Sequence, residues 1–303
     1  MPIQSSPQPP IRFPKILITG ARGQLARALA LAAPATTEIV ALERAHLDIC
    51  DAAAVRELLE THRPNVVFNG AAYNLVDKAE GEGARAALEV NALGPAVLAA
   101  ACRDVGATLV HFSTDFVFDG TKKTPYAETD CAHPQGVYGA SKLCGENVTL
   151  AASPRHLVIR VCRLFGPIDA VSQKPGGNFP LLMLKLGRER GGVKVVDDQI
   201  GAPSYTPDLA RGVWQLLQNG AGGLFHLSNS GEVSFADYAR EIFQIAGVHA
   251  TVESVSTQDY GAPAARPLYS TLNNERAHQN GVIPLRHWRE ALREFLEVND
   301  LNT

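Results

Sequence analysis

The sequence predicts a doubly wound α/β protein of the Rossmann type, with a smaller α/β lobe toward its C-terminal end. Three observations predict it. Short apolar runs alternate with Ala- and Leu-rich helical spacing, the first run ends in a glycine turn, and the alternation loosens after Gly166. Strands of a parallel sheet are covered on both faces, so they read as continuous apolar stretches without a polar side.

Lys15–Thr19 (KILIT) reads as a buried strand, followed by helical spacing at Leu25, Leu29 and Ala32. A strand at Glu38–Leu42, a helix around Ala53–Glu60 and a strand at Asn65–Asn69 come next. A helix across Ala84–Arg103, a strand at Thr108–Ser113, a helix at Tyr138–Ala151 and a strand at Leu157–Val161 continue the pattern. The Pro, Gly, Ser and Gln of Ile168–Asn178 predict a loop. Beyond it the spacing predicts a helix near Phe179–Arg190, a strand near Val193–Val196 and a helix over Pro207–Gln218, with Pro207 in its first turn. A strand at Leu224–Leu227 is expected to return to the main sheet, and helices near Phe235–Ala246 and His287–Val298 to complete the lobe. The division is then a main domain over 15–169, joined by 205–230, and a lobe from 170–204 and 231–303.

At 303 residues with 46% hydrophobic content, the chain can bury a sizeable core, and no window approaches a membrane span. A formal charge of -3 without blocks of like charge argues against a nucleic-acid or membrane surface. Cys50, Cys102, Cys131, Cys144 and Cys162 form no Cys-x-x-Cys pair. An odd count suits reduced thiols, read here as small core-filling side chains. The nine histidines show no metal-ligand spacing, so no catalytic metal is expected, and His111 in a buried strand reads as a satisfied core histidine. Residues 1–14, rich in Pro, Ser and Gln, lack the apolar core of a signal peptide. They are expected to be a disordered leader on a cytoplasmic protein.

Chemistry enters with Gly20-Ala-Arg22-Gly23-Gln24-Leu25-Ala26, directly after the first strand. A glycine turn there lets backbone N–H groups approach a pyrophosphate at the positive end of the next helix. The main domain is therefore read as dinucleotide-binding. The second strand runs into Glu43-Arg44. Glu43 would accept from ribose hydroxyls and favour NADH, whereas Arg44 would pair a 2′-phosphate and favour NADPH. Both remain open on these residues.

The segment Tyr138-Gly-Ala-Ser-Lys142 places a phenol and an ammonium four apart, on one helix face. A nearby Lys⁺ is expected to lower the Tyr pKa and make Tyr138 a proton donor. Thr114 closes a central strand, where ligands of open α/β sheets bind, and its hydroxyl could hold a substrate carbonyl.

With these residues, the chain resembles the extended short-chain dehydrogenases, and within them the branch of dTDP-4-dehydrorhamnose reductases. The likeness runs from Lys15 to about Leu296. It rests on Gly20–Ala26, Leu47–Asp51, Asn69–Glu80, Phe112–Gly120, Val137–Glu146, Gly177–Phe179, Val196–Pro203 and Arg266-Pro267. The resemblance implies an NAD(P)H-dependent reductase of a nucleotide-linked 4-keto-6-deoxyhexose, converting dTDP-4-dehydrorhamnose to dTDP-rhamnose. It implies Thr114, Tyr138 and Lys142 as catalytic residues, Lys142 also reaching the nicotinamide ribose. Asp48 and Ile49 would flank the adenine, Ala71, Ala72 and Tyr73 would line the cofactor, and Asn91 would stand near the active site. Val76, Asp115 and Phe116 fall where the sugar would sit, with Asn178 and Gln199 added from the lobe.

One departure stands out. Such reductases usually read Arg-Thr-Ser-Trp-Val-Tyr-Gly after the sixth strand, where this chain reads Arg160-Val-Cys-Arg163-Leu-Phe-Gly166. Arg163 removes an aromatic wall and brings a guanidinium that could seek a phosphate or carboxylate of the substrate. Two other readings stay open: a non-catalytic regulatory subunit resembling the β subunit of methionine adenosyltransferase, and a nucleotide-sugar epimerase or dehydratase. A homodimer through the 84–103 helix is compatible with its apolar stripe, as is packing of that stripe on the sheet.

Overall fold

The computed structural model describes residues 13–166 and 177–301. Most of the expected leader and of the expected 168–178 loop lie outside the described residues. The first half runs β1 (Lys15–Thr19), α1 (Gln24–Leu31), β2 (Glu38–Leu42), α2 (Ala52–His62), β3 (Val66–Asn69), α3 (Val76–Ala79) and α4 (Ala84–Leu88). A wide π-type turn at Glu89–Leu93 leads into α5 (Gly94–Val105), β4 (Thr108–Thr114), α6 (Val137–Ala152) and β5 (Leu157–Val161). The second half holds β6 (Leu164–Phe165), α7 (Phe179–Arg190), β7 (Gly192–Val196), β8 (Ile200–Gly201), β9 (Ser204–Tyr205), α8 (Thr206–Gln218) and β10 (Gly223–His226). It closes with β11 (Val233–Ser234), α9 (Phe235–Ala246), β12 (Thr251–Val255), α10 (Thr257–Tyr260), α11 (Glu275–Gln279) and α12 (Trp288–Val298).

Six strands form one parallel sheet in the order β10-β5-β4-β3-β1-β2. Alternate residues of these strands enter different cores, as the two-residue period of a strand requires. Ile16, Ile18, Val66, Phe68, Val110 and Phe112 pack on the face covered by α1 and α8, where Trp214 Nε1 donates to the Leu29 carbonyl at 3.1 Å. Leu17, Val67 and Leu109 pack on the other face with Leu98, Ala99 and Cys102 of α5. The sheet order turns back between β1 and β3, and a cleft outside the carboxyl ends at that switch point is where open α/β sheets bind ligands.

The lobe has its own core, in which α7, α9 and α12 gather Phe165, Tyr205, Tyr238, Trp288 and Phe295. Three two-stranded pairings support it: β7 with β12, β8 with β11 and β6 with β9. Local caps set the helix starts. Asp51 accepts from Ala53 N and Ala54 N at the head of α2, and Ser234 accepts from Asp237 N at the head of α9.

The helix expected across Ala84–Arg103 runs unbroken from Ala84 to Val105, widened by one π-type turn at Glu89–Leu93 that turns the buried Asn91 inward. Cys102 and Cys162 are buried, but Cys131 and Cys144 are exposed, so a core-filling role does not hold for all five thiols. His111 is fully buried, yet only half satisfied: Nδ1 meets Asn69 Nδ2 at 3.1 Å while Nε2 has no protein partner.

Candidate active site

The glycine turn is built as a phosphate cradle. Gly20 adopts φ +62°, and a Cβ there would come within 2.6 Å of Gly70 C and Ala71 N. No L side chain fits that combination of backbone and space. Gly23 opens α1 without any side-chain cap, so the helix start presents backbone donors to a ligand rather than to its own chain. Arg22 pairs with Glu43 at 3.6 Å, both partly exposed, and Arg44 stands exposed at the end of β2. This set of donors and small residues fits a dinucleotide phosphate.

Asp48 is exposed and accepts from Cys50 N at 3.0 Å. The Ile49 side chain is buried against Gly94 and in the core under the sheet. Ala71, Ala72 and Tyr73 form the half-buried loop after β3. Asn91 fixes that loop: its Oδ1 accepts from Tyr73 N and its Nδ2 donates to Tyr73 O, both at 2.9 Å. The same Nδ2 reaches Ser141 Oγ at 3.0 Å, and Ser141 donates to the Tyr138 carbonyl at 2.8 Å. Asn91 thereby joins the cofactor-side loop to α6, with both amide hydrogens and its oxygen engaged.

At the end of β4 the Thr114 hydroxyl donates to Asp115 Oδ1 at 3.1 Å and accepts from Phe116 N at 3.2 Å. It also approaches the half-buried Tyr138 phenol, whose ring lies edge-on to Phe116 at 5.6 Å. Burial raises the Tyr138 pKa to about 12, against a pull downward from the Thr114 hydroxyl and with a lesser push upward from the Asp115 carboxylate. This corrects the expected lowering by Lys142. The lysine is buried and its Nζ donates to the Phe112 carbonyl at 2.5 Å, so it sits one turn below the phenol and burial wins. Burial in turn lowers Lys142 to about 8, with Glu146 acting upward.

Asp115 Oδ2 accepts from Cys162 Sγ at 3.1 Å, which leaves both carboxylate oxygens engaged within the protein. Val76 opens α3, and two acidic residues next to it, Asp77 and Glu80, make contacts across the fold. Glu80 Oε1 accepts from Val137 N at 2.8 Å and so caps the helix that bears Tyr138. Asp77 takes a bidentate contact from Arg266 Nη2 at 3.0 and 2.9 Å, tying the 264–267 loop over the first domain.

The lobe residues fall differently from expectation. Arg163, at φ +46°, donates to the Val233 carbonyl and to the Gln199 carbonyl at 2.8 Å each and lies 3.8 Å over the Phe235 ring. Its guanidinium clamps the lobe to the strand end instead of waiting for a substrate charge, because backbone acceptors far along the chain satisfy it first. The Gln199 side chain donates to Thr257 Oγ1 at 3.0 Å, within the lobe. Asn178 caps α7 through Leu181 N at 3.1 Å, and its Nδ2 reaches Gln24 Oε1 at 3.0 Å, linking the lobe to the glycine turn. Among the described residues no group of three or more His, Cys, Asp or Glu side chains is placed to hold a metal ion, and no helix is long and apolar enough to cross a membrane.

The family described as the RmlD substrate binding domain matches residues 14–300. The chain belongs to that family. Among RmlD relatives, a dTDP-4-dehydrorhamnose reductase from Streptomyces griseus is 41% identical over 293 residues, covering 94% of each chain. A dTDP-4-keto-6-deoxy-D-glucose reductase from Streptomyces niveus is 39% identical over 279 residues, 91% of this chain and 94% of its own. The crystal structure of a Bacillus anthracis dTDP-4-dehydrorhamnose reductase in complex with NADP superposes with a TM-score of 0.89 at 35% identity, covering 95% of this chain and all (100%) of that one. The family membership and the Rossmann-type sheet agree with what the resemblance implied.

Proposed function

We propose that this protein uses NADPH to reduce the C4 ketone of a dTDP-linked 4-keto-6-deoxyhexose, with dTDP-4-dehydrorhamnose as substrate and dTDP-rhamnose as product. The observation that carries the reading is the Tyr138 phenol held beside the Thr114 hydroxyl at the carboxyl end of β4, with the buried Lys142 one turn along the same face of α6. When bound, the reduced dinucleotide supplies hydride to the ketone carbon. Tyr138 donates its proton to the developing alkoxide, Thr114 orients the ketone oxygen, and the Lys142 ammonium stabilises the phenolate left behind.

Gly20, Gly23, Gln24 and Leu25 would hold the pyrophosphate, while Ala71, Ala72 and Tyr73 would line the nicotinamide side. Arg22 neutralises Glu43 and leaves Arg44 exposed, an arrangement that favours a 2′-phosphate and hence NADPH over NADH. Val76, Asp115 and Phe116 would face the sugar, with the lobe over 170–204 and 231–303 closing on the nucleotide. Asp115 is committed to Thr114 and Cys162, so it is poorly placed as the acid or base a dehydratase needs. All five thiols are free, which suits a reducing compartment such as the cytoplasm.

The test follows NADPH absorbance with a panel of enzymatically generated 4-keto-6-deoxy sugar nucleotides. Tyr138→Phe is expected to cut turnover by about 10²–10⁴-fold while dinucleotide binding is kept. Retention of most of the rate would refute the role of Tyr138. A protein inert toward the whole panel that captures a partner enzyme would instead be a regulatory subunit.

A further inference from the structure

Three consecutive residues at the end of β4 each grip a different turn of α6. The Phe112 carbonyl accepts from Lys142, the Ser113 hydroxyl donates to Glu146 Oε1, both at 2.5 Å, and the Thr114 hydroxyl meets the Tyr138 phenol. Tyr138, Lys142 and Glu146 are spaced four apart and so share one helix face. Glu146 is then clamped from β5: Arg160 Nε donates to Oε1 at 2.9 Å and Arg160 Nη2 to Oε2 at 2.7 Å. Both partners are nearly inaccessible to solvent, at 1% and 3% exposure. Arg160 Nη1 continues to His226 Nε2 on β10 at 3.3 Å, whose Nδ1 faces the Tyr126 carbonyl at 3.0 Å.

A buried ion pair is weak evidence for stability, since desolvation of both charges offsets their attraction. Its position behind Lys142 gives it another use. We propose that Glu146, clamped by Arg160, is a positioning residue: it holds the Lys142 ammonium in its charged form and fixes the register of α6 on β4 so that Tyr138 stays opposite Thr114. The proposal rests on the reductase reading of Tyr138 and Lys142.

The groups around Lys142 support it. Burial opposes the ammonium, and Glu146 is the carboxylate that acts in the opposite sense. His111 of β4 is fully buried, and burial together with Lys142 holds its pKa well below the usual value, so it carries no charge. His226 is lowered to about 3 by burial and by Arg160, and is neutral as well. Asp115 faces Tyr138, while Glu128 and Asp130 lie on the far side of His226.

Glu146→Gln removes the charge and keeps the shape, and the double variant Glu146→Gln/Arg160→Met also removes the guanidinium it would leave alone. Two readouts are taken: titration of the Lys142 Cε resonance by NMR, and the pH profile of kcat with the nucleotide sugar. Both variants are expected to titrate Lys142 at a lower pH than the parent and to move the alkaline limb of kcat the same way. The kcat value itself is expected to fall by up to about 10²-fold, as for a displaced catalytic group, with KM little changed. Glu146→Asp, which keeps the charge one methylene back, is expected to lie between parent and Gln variant in both readouts. If neither Gln variant folds, the Asp variant alone decides. Variants that lose thermal stability while the lysine titration and the kcat limb stay at the parent position would overturn the proposal. The lysine titration needs no turnover, so an error in the reductase reading would show as missing activity with the titration still shifted.

Discussion

Replacing Lys142 with Met is expected to give a more stable and inactive protein. The lysine is buried, and burial lowers its pKa from an ordinary 10.5 to about 8. At ~1.4 kcal/mol per unit, keeping the ammonium inside the fold at pH 7 costs about 3.5 kcal/mol. Met removes that penalty and the charge-assisted hydrogen bond to the Phe112 carbonyl, worth about 1.5–3 kcal/mol, so a net gain of about 1 kcal/mol remains. Between pH 8 and 10.5 the unfolded chain holds more protons than the folded one, so the parent gains stability as pH rises through that window. The penalty is complete below pH 8 and gone above 10.5. Urea unfolding of both proteins at neutral pH and again near the upper end of that window reads the difference directly. The Met variant should lead at neutral pH, and the lead should close as the lysine loses its proton. A less stable variant at neutral pH, or a lead that does not change with pH, would refute the reasoning.

Two further outcomes follow from the site. Gly20→Ala should destabilise by about 1–3 kcal/mol, since the φ of +62° and the 2.6 Å approach of Gly70 and Ala71 both exclude a Cβ; thermal melting and a fluorescence titration with NADPH would show lowered stability and weakened binding. Arg163→Met should destabilise by about 2–4 kcal/mol, because it leaves the Val233 and Gln199 carbonyls without their donor and loses the stack on Phe235. Denaturant unfolding measures that loss, and a raised KM with unchanged stability would return Arg163 to the role of substrate ligand.

Much of the sheet was legible because its strands are buried on both sides. KILIT and LVIRV are continuous apolar runs, with only Arg160 interrupting the second, and their element limits match the sequence reading. The β12 strand, Thr251–Val255, carries alternating polar residues at a largely exposed edge, and the two-residue strands β6, β8, β9 and β11 are too short for any periodicity. None of these was foreseen. At the site, Tyr138, Lys142 and Thr114 could be read because helical spacing and strand ends are local properties. The role of Arg163 could not, since its acceptors lie 36 and 70 residues away in sequence. The sign of the Tyr138 shift was missed for a related reason: proximity to Lys142 is visible in spacing, but the depth of burial and the Phe112 carbonyl that takes the ammonium are not.

Helix α6 lies flush against its surroundings on either side of Lys142. A methyl group on Gly139 would overlap the Phe116 carbonyl, and one on Gly145 the Asn91 carbonyl. Two bare backbone stretches, six residues apart, therefore act as bearing surfaces that set how near the helix axis can come to the chain around it. Any drift at these two positions would lift the phenol off its partner, so sequence freedom in this helix is confined to the solvent side, at places such as Ala140 and Cys144. A library that randomises the outer face should retain turnover, whereas one that touches either bearing should lose it.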